Sequence, residues 1–340
     1  MVAMKHIAEK CGVSIATVSK ALNGRPDISD EMREKILSVA NETGYMTNSA
    51  ARALKTNRTF NLGVLFADEG SRGLTHEYFA AVLNSFKTEA ERCGYDITFI
   101  STKAKIDRRS STCLQHCLYR GVDGLLIACT DFNDSQVSEL IASSLPVVTI
   151  DHVFNGKPSV LSDNVAGEEA LCGYACSQGH RKIAIIKGEA DSAVTISRLK
   201  GFFRACEAEG IDVPDSYVLQ GQYYEPDVAY GMTKQLLEMD DRPTCILYPD
   251  DFSLTGGVRA IIEAGLKVPD DISIAGYDGI IVSQVMTPQM TTYSQDTEGL
   301  GRTAAKKLIE LIEHPKTTLT DTEYVSGHLI KGGSIGPVRS

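Results

Sequence analysis

The 340-residue sequence contains no tryptophan. Any stacking surface it offers a flat ligand must therefore be built from tyrosine or phenylalanine. No apolar run approaches the roughly 18 to 20 residues of a membrane span. The opening, MVAMKHIAEK, lacks the apolar core of a secretory leader. A nucleophile elbow G-x-S-x-G, a zinc-protease H-E-x-x-H and a phosphate-binding P-loop are all missing, so no enzyme class announces itself. The nine cysteines are an odd number without the spacing of a secreted disulfide scaffold, which predicts reduced thiols and a cytoplasmic location. The nearest approaches to a metal motif are Cys113-x-x-x-Cys117 with His116 and Cys172-x-x-x-Cys176 with His180. Structural zinc sites favour tighter C-x-x-C knuckles, and small thiols sharing a helix face are ordinary core, so neither a metal nor a cofactor is expected.

The net charge is −10, an odd sign for a chain that handles nucleic acid, but it is unevenly spread. Residues 1–58 carry nine Lys/Arg against six Asp/Glu, and the remainder 25 against 38. A modestly basic head suits phosphate contact, and an acidic body resists nonspecific sticking to nucleic acid.

The head opens with MKHIAEKCGVSIATVSKALN, Met4 to Asn23. Ile7, Ala8 and Cys11 place an apolar stripe on a first helix. Gly12 supplies the open backbone of a short turn. Ser14 can cap a second helix by accepting from the N–H of Ala16 or Thr17, and Val18, Ala21 and Leu22 continue the stripe. Ile15, Ala16, Ser19 and Lys20 then face away. A third helix from Ser29 to Thr43 is capped by Ser29 and buries Met32, Ile36, Leu37 and Ala40. This is the helix-turn-helix plan, in which the second helix enters the major groove.

The run GVSIATVSKALNG, the Gly44-Tyr45 pair after the third helix, and the N-x-x-A-R-x-L stretch from Asn48 to Leu54 closely resemble the lactose-repressor/galactose-repressor family of bacterial transcription regulators. The resemblance continues in Gly179-His180-Arg181-Lys182-Ile183-Ala184, in Arg198-Leu199-Lys200-Gly201-Phe202, and in GLKVPDDISIAGYD from Gly265 to Asp278. It implies that Ile15, Ala16 and Lys20 read bases. The first two suit thymine methyls, and Lys20 suits guanine O6/N7 without the bidentate fork that arginine brings. Ser14 caps that helix beside the DNA. Thr17, Ser19 and Asn23 suit phosphate, their other role being helix capping. The resemblance also implies that Asn48, Ala51 and Leu54 belong to a hinge helix that forms when two copies pair on DNA. Leu54 would wedge between base pairs from the minor groove; its mundane role would be a linker residue packed on the body.

From Leu62 the pattern becomes α/β. Strands are expected at Leu62–Ala67, Asp96–Ser101, Val122–Ile127 and Pro146–Ile150, then at Lys182–Lys187, Tyr217–Gln220, Cys245–Tyr248 and Ser273–Tyr277, with amphipathic helices between. Apolar strands alternating with helices mean parallel sheets covered on both faces. Two such series mean two lobes, and the resemblance implies a periplasmic-binding-protein-like core crossed three times by the chain. The expected organisation is an N-terminal helix-turn-helix three-helix head (1–47), a hinge helix and linker (48–59), and an α/β two-lobed core (60–336). Lobe 1 is expected at about 60–158 and 290–316, and lobe 2 at about 159–289 and 317–336.

Ligands in open α/β sheets sit beyond the carboxyl ends of the strands. Asp68, Asp151 with His152, Asp250 with Asp251, and Asp278 all follow strands, and Arg198 opens a helix after one. The family's effector contacts carry over to Asp151, Arg198, Asp250 and Asp278, with Tyr78 and Phe79 as an aromatic wall. Carboxylates accept from paired hydroxyls and arginine donates to hydroxyl or ring oxygens, which suits a sugar or sugar derivative. The second acid in Asp250-Asp251 disfavours phosphorylated or carboxylated ligands unless Arg181, Lys187 or Arg198 offsets it, and each Asp has a competing role as a helix cap. The sequence thus predicts a sequence-specific repressor acting as a homodimer on a pseudo-palindromic operator. A small molecule between the lobes would switch it allosterically. A purine or nucleoside, or a protein co-regulator, is the alternative effector. A sugar receptor or enzyme with an accessory head is the alternative class.

Overall fold

The computed structural model describes residues 3–22, 24–45, 58–67, 73–106 and 108–338. Its contacts divide the chain into two units, Met1–Thr59 and Phe60–Ser340.

The first unit is a three-helix cluster, α1 (Met4–Cys11), α2 (Ile15–Leu22) and α3 (Asp30–Glu42). Gly12 ends α1 in the left-handed conformation, φ 72°, and its N–H returns to the carbonyls of Ala8 and Glu9, satisfying two of the last-turn acceptors. Ser14 caps α2 by accepting from the N–H of Thr17 at 3.0 Å, and Ser29 caps α3 by accepting from Met32. Ile7, Ala8, Cys11, Val18, Ala21, Ile36 and Ala40 make the core. Leu37 departs from expectation: it stands exposed, while Val39 and Tyr45 pack on the cluster instead. A 13-residue helix between two short ones buries only a narrow stripe.

The second unit is built on two six-stranded sheets. The strands are β1 (Asn61–Phe66), β2 (Asp96–Ile100), β3 (Lys105–Ile106), β4 (Arg109–Ser110), β5 (Gly124–Ala128), β6 (Val147–Ile150), β7 (Ser159–Ser162), β8 (Ile183–Lys187), β9 (Val218–Gln220), β10 (Cys245–Leu247), β11 (Ser273–Asp278), β12 (Thr291–Ser294), β13 (Thr322–Val325) and β14 (His328–Ile330). The first sheet runs β13-β7-β6-β5-β1-β2, parallel throughout. The second runs β14-β12-β11-β10-β8-β9, parallel except for β14. β3 and β4 form a separate small hairpin.

Central strands such as GLLIA and VVTI are buried along their whole length, as a sheet covered on both faces requires. In lobe 1, helices Glu77–Arg92 and Thr297–Glu313 cover one face, and Cys113–Arg120 with Ser135–Ala142 the other. In lobe 2 the corresponding pairs are Asn164–Ser177 with Ala193–Ala208, and Pro226–Leu237 with Asp251–Glu263.

The chain crosses between lobes three times, but not at the residues expected from sequence. β7 still belongs to the first sheet, so the first crossing follows Ser162 rather than residue 158. β12 belongs to the second sheet, so the return to lobe 1 comes only at helix Thr297–Glu313. β13 then joins the first sheet beside β7, and β14 alone crosses back. The physical reason is that β7, β12, β13 and β14 hold three or four residues each, too few to show a period. Their membership is decided by which neighbour completes the ladder.

Candidate functional site

In the head, Ser14, Ile15, Ala16 and Lys20 are exposed and Thr17 and Ser19 half-exposed along one side of α2. Ile15 keeps 49% of its surface in solvent, an uncommon posture for an isoleucine within a small cluster and a ready apolar contact for a groove. The Lys20 ammonium bonds the Asp27 carboxylate at 2.6 Å, and this partner holds Asp27 below the ordinary carboxylate range. Arg33 donates to the carbonyl of Arg25 at 2.8 Å and to Asp30 at 3.0 Å, fixing the loop that carries Asp27. Asn23, Asn48, Ala51 and Leu54 lie outside the described residues, as does Asp68.

In the body, an open cavity of about 660 Å³ lies between the lobes at the carboxyl ends of their strands. Asp151 and His152 follow β6, Cys129 to Asn133 follow β5, Glu189 follows β8, and Asp278 closes β11. Four of the cavity's non-glycine residues hold positive φ: Cys129 (49°), Asp151 (60°), Tyr224 (57°) and Asp278 (103°). Such backbone is costly for residues with a Cβ and clusters where side chains must be aimed.

The site is assembled from paired groups. Tyr78 Oη donates to Asp151 Oδ2 at 3.2 Å, and the Ser162 N–H to Asp151 Oδ1 at 3.4 Å. Arg198 is buried. Its Nε donates to Asn164 Oδ1 at 2.8 Å and its Nη1 to the Pro249 carbonyl at 2.6 Å. Its Nη2 lies 3.7 Å from Asp278 Oδ1, and its guanidinium sits 3.5 Å over the Tyr277 ring. Gln295 Nε2 donates to Asp278 Oδ1 at 2.6 Å. Burial raises Asp278 well above the carboxylate range, against the pull of Arg198, and also raises Asp151. A closed cavity therefore favours hydrogen-bond donors or a cation opposite these acids.

The structure brings Tyr78, Phe79, Asp151, Arg198 and Asp278 onto the cavity wall. Asp250 is not on it. One oxygen accepts from the Ser253 N–H at 2.7 Å as a helix cap, and the other accepts from the Tyr224 N–H and the Ser253 hydroxyl, each at 2.7 Å. Its expected ligand contact is corrected to a supporting one, since both oxygens hold the backbone that presents Tyr224. Asp251 is likewise internal, accepting from the Ile280 N–H at 2.9 Å.

Sequence reasoning missed Asp131, Phe132, Glu189, Tyr223 and Tyr224, all cavity residues. They lie in loops after strand ends, so the strand-end rule applied to β5, β8 and β9 would have found them. His76 carried no such signal. Its ring lies 3.7 Å from Tyr224 of the other lobe. The lobes also meet where the Ile281 N–H donates to Glu77 Oε1 at 2.7 Å. The Cys-His spacings resolve into core. His180 bonds Thr244 at 2.8 Å and the Gly336 carbonyl at 3.1 Å, and burial pushes Cys113 to about 11 and Cys117 to about 12. Among the described residues, no three His, Cys, Asp or Glu gather as a metal site, and no helix is long and apolar enough to cross a membrane.

Comparison with known proteins places both units. A family model described as "Bacterial regulatory proteins, lacI family" matches residues 3–48, and a periplasmic binding protein-like domain matches residues 173–335. An HTH-type transcriptional repressor PurR of Haemophilus influenzae (strain PittEE) is 31% identical over 316 residues, 92% of each chain. A PurR of Photobacterium profundum is 30% identical over 320 residues, again 92% of each. The lac repressor dimer bound to operator and the anti-inducer ONPF superposes with a TM-score of 0.81 at 25% identity, covering 98% of this chain and 99% of that one. A complex of the transcriptional regulator CelR with cellobiose has a TM-score of 0.71 at 23% identity over 98% and 100% of the chains, a likeness of fold.

Proposed function

Because this chain belongs to the lacI family of bacterial regulatory proteins, we propose that its interlobe cavity is the effector site of a transcriptional repressor and that the effector is a sugar or sugar derivative. The chain is a DNA-binding regulator and not an enzyme. It acts in the bacterial cytoplasm as a homodimer on a pseudo-palindromic operator, each copy placing α2 in one major-groove half-site. Ile15, Ala16 and Lys20 read bases, Ser14, Thr17, Ser19 and Asn23 hold the backbone, and Asn48, Ala51 and Leu54 form the hinge.

The observation that carries the effector reading is the opposition of Asp151 in one lobe to the Arg198–Asp278 pair in the other, with Tyr78 and Phe79 beside them. Carboxylates accept from vicinal hydroxyls, a guanidinium donates to ring oxygens, and aromatic faces cover the sugar's C–H surface. A ligand bound to both lobes changes their relative preference for open and closed arrangements, and the operator responds to that preference. A second reading, a purine or nucleoside, is favoured by the flat pair Phe132 and His152, stacked at 4.2 Å with 8° between planes.

The test is thermal unfolding of the full chain against sugars, sugar phosphates, nucleosides and purines. A ligand at 100 times its Kd adds about 2.7 kcal/mol. A sugar hit that also changes operator affinity supports the proposal; a shift with purines alone replaces it with the second reading.

A further inference from the structure

The carboxylates of Asp131, Asp151, Glu189, Asp191 and Asp278 line the cavity. Among the described lining residues Arg198 is the one Lys or Arg, and its charge already faces Asp278 and the Tyr277 ring. Asp151 feels Arg198 only at longer range, a pull that lowers it but is outweighed by burial. Its oxygens take only a phenol and a backbone N–H, and no cation lies within ion-pair distance among the described residues. Glu189, half-buried across the cavity, is held by backbone N–H groups, its own and that of Tyr223 at 3.4 Å. Burial raises both acids above their ordinary range. Carboxylates taken out of water are normally paired with a cation or a metal, and a neutral ligand closing this cavity would desolvate several acids without supplying one.

Resting on the reading of the cavity as a sugar site, we infer that its ligand is a cationic sugar, an amino sugar whose ammonium is neutralised by the cavity's carboxylates, Asp151 among them. The aromatic faces suit the same charge. Tyr78 and Phe79 meet edge to face at 4.9 Å beside Asp151, and ring faces attract ammonium groups. Anionic sugars, including sugar phosphates, are excluded by the same imbalance.

The experiment is calorimetric titration of the full chain with glucosamine, galactosamine and mannosamine, their N-acetyl forms and the parent hexoses, with adenine and guanine alongside. A hexosamine binding at least about tenfold tighter than both its N-acetyl form and its parent hexose is the expected result. Asp151→Asn removes the charge while keeping a residue that tolerates positive φ, and it should bring that ratio close to one. If its melting curve shows a misfolded chain, Glu189→Gln should lower the ratio severalfold. A parent hexose binding as tightly as its amine overturns the ammonium and leaves the sugar cavity standing. Binding of adenine or guanine with no sugar of any kind overturns both. Failure of every hexosamine to bind overturns the inference whatever else binds.

Discussion

A side chain's chemistry is set by what its other atoms are already doing. Asp250 follows a strand and Asp278 ends one, yet Asp250 caps a helix with both oxygens engaged while Asp278 faces the cavity. Replacing Asp278 with Asn should abolish the effector's influence on operator affinity while leaving operator binding itself intact, in a mobility-shift assay with and without ligand. Lys20 tests the head. Lys20→Ala should relax preference by about 1–3 kcal/mol at one base pair per half-site, and an equal loss over all sequences would mark a phosphate contact instead. Glu168 makes a pH prediction. It is buried, one oxygen finds no hydrogen-bond partner, and burial pushes it from its ordinary 4.5 to about 7 despite nearby Arg198. The folded form therefore keeps its proton up to about pH 7 while the unfolded form releases it near 4.5. This acid's contribution to stability falls as pH rises through that interval. Glu168→Gln should accordingly raise the melting temperature at pH 8 and change it little at pH 4.

Elements in each lobe pack through glycine. A Cβ at Gly201 would overlap the Val165 carbonyl of the neighbouring helix, and one at Gly301 would overlap the Val82 carbonyl. These contacts let helix axes approach closely against the sheets. Gly201→Ala should cost about 1–3 kcal/mol through overpacking. Gly173, in helix Asn164–Ser177, would meet nothing within 4 Å, and Gly173→Ala should instead stabilise by about 0.5–1 kcal/mol from backbone entropy alone. Thermal melts of the two variants moving in opposite directions would check both. The long helices and central strands were legible in sequence because apolar period and helix-start residues coincide, as with the cap Ser29 and the first-turn Pro226. Exposed Leu37 and the strands of three or four residues were not, because so short a pattern fits either face or either sheet.

At the scale of the molecule, function requires a reading head and a ligand-sensitive body on one chain, and two such chains on one operator. The operator test of the hinge is Leu54→Ala, which should weaken binding and reduce DNA bending measured by circular permutation of the site. Bending unchanged from the unaltered chain would rule out a wedge at that residue. What the sequence determined by itself was local. The helix-turn-helix spacing, the two α/β series, the family and the polar residues after strand ends all follow from patterns a few residues long. Only the tertiary structure decided which strand-end acids share a cavity, that Asp250 is consumed as a cap, and that His76 meets Tyr224 across the lobes. Only there, among the described residues, do Asp131, Asp151, Glu189, Asp191 and Asp278 come together in one space with Arg198. Those outcomes depend on contacts between residues far apart in the chain. Their burial and partners are set by where the short strands dock, and no local period encodes that choice.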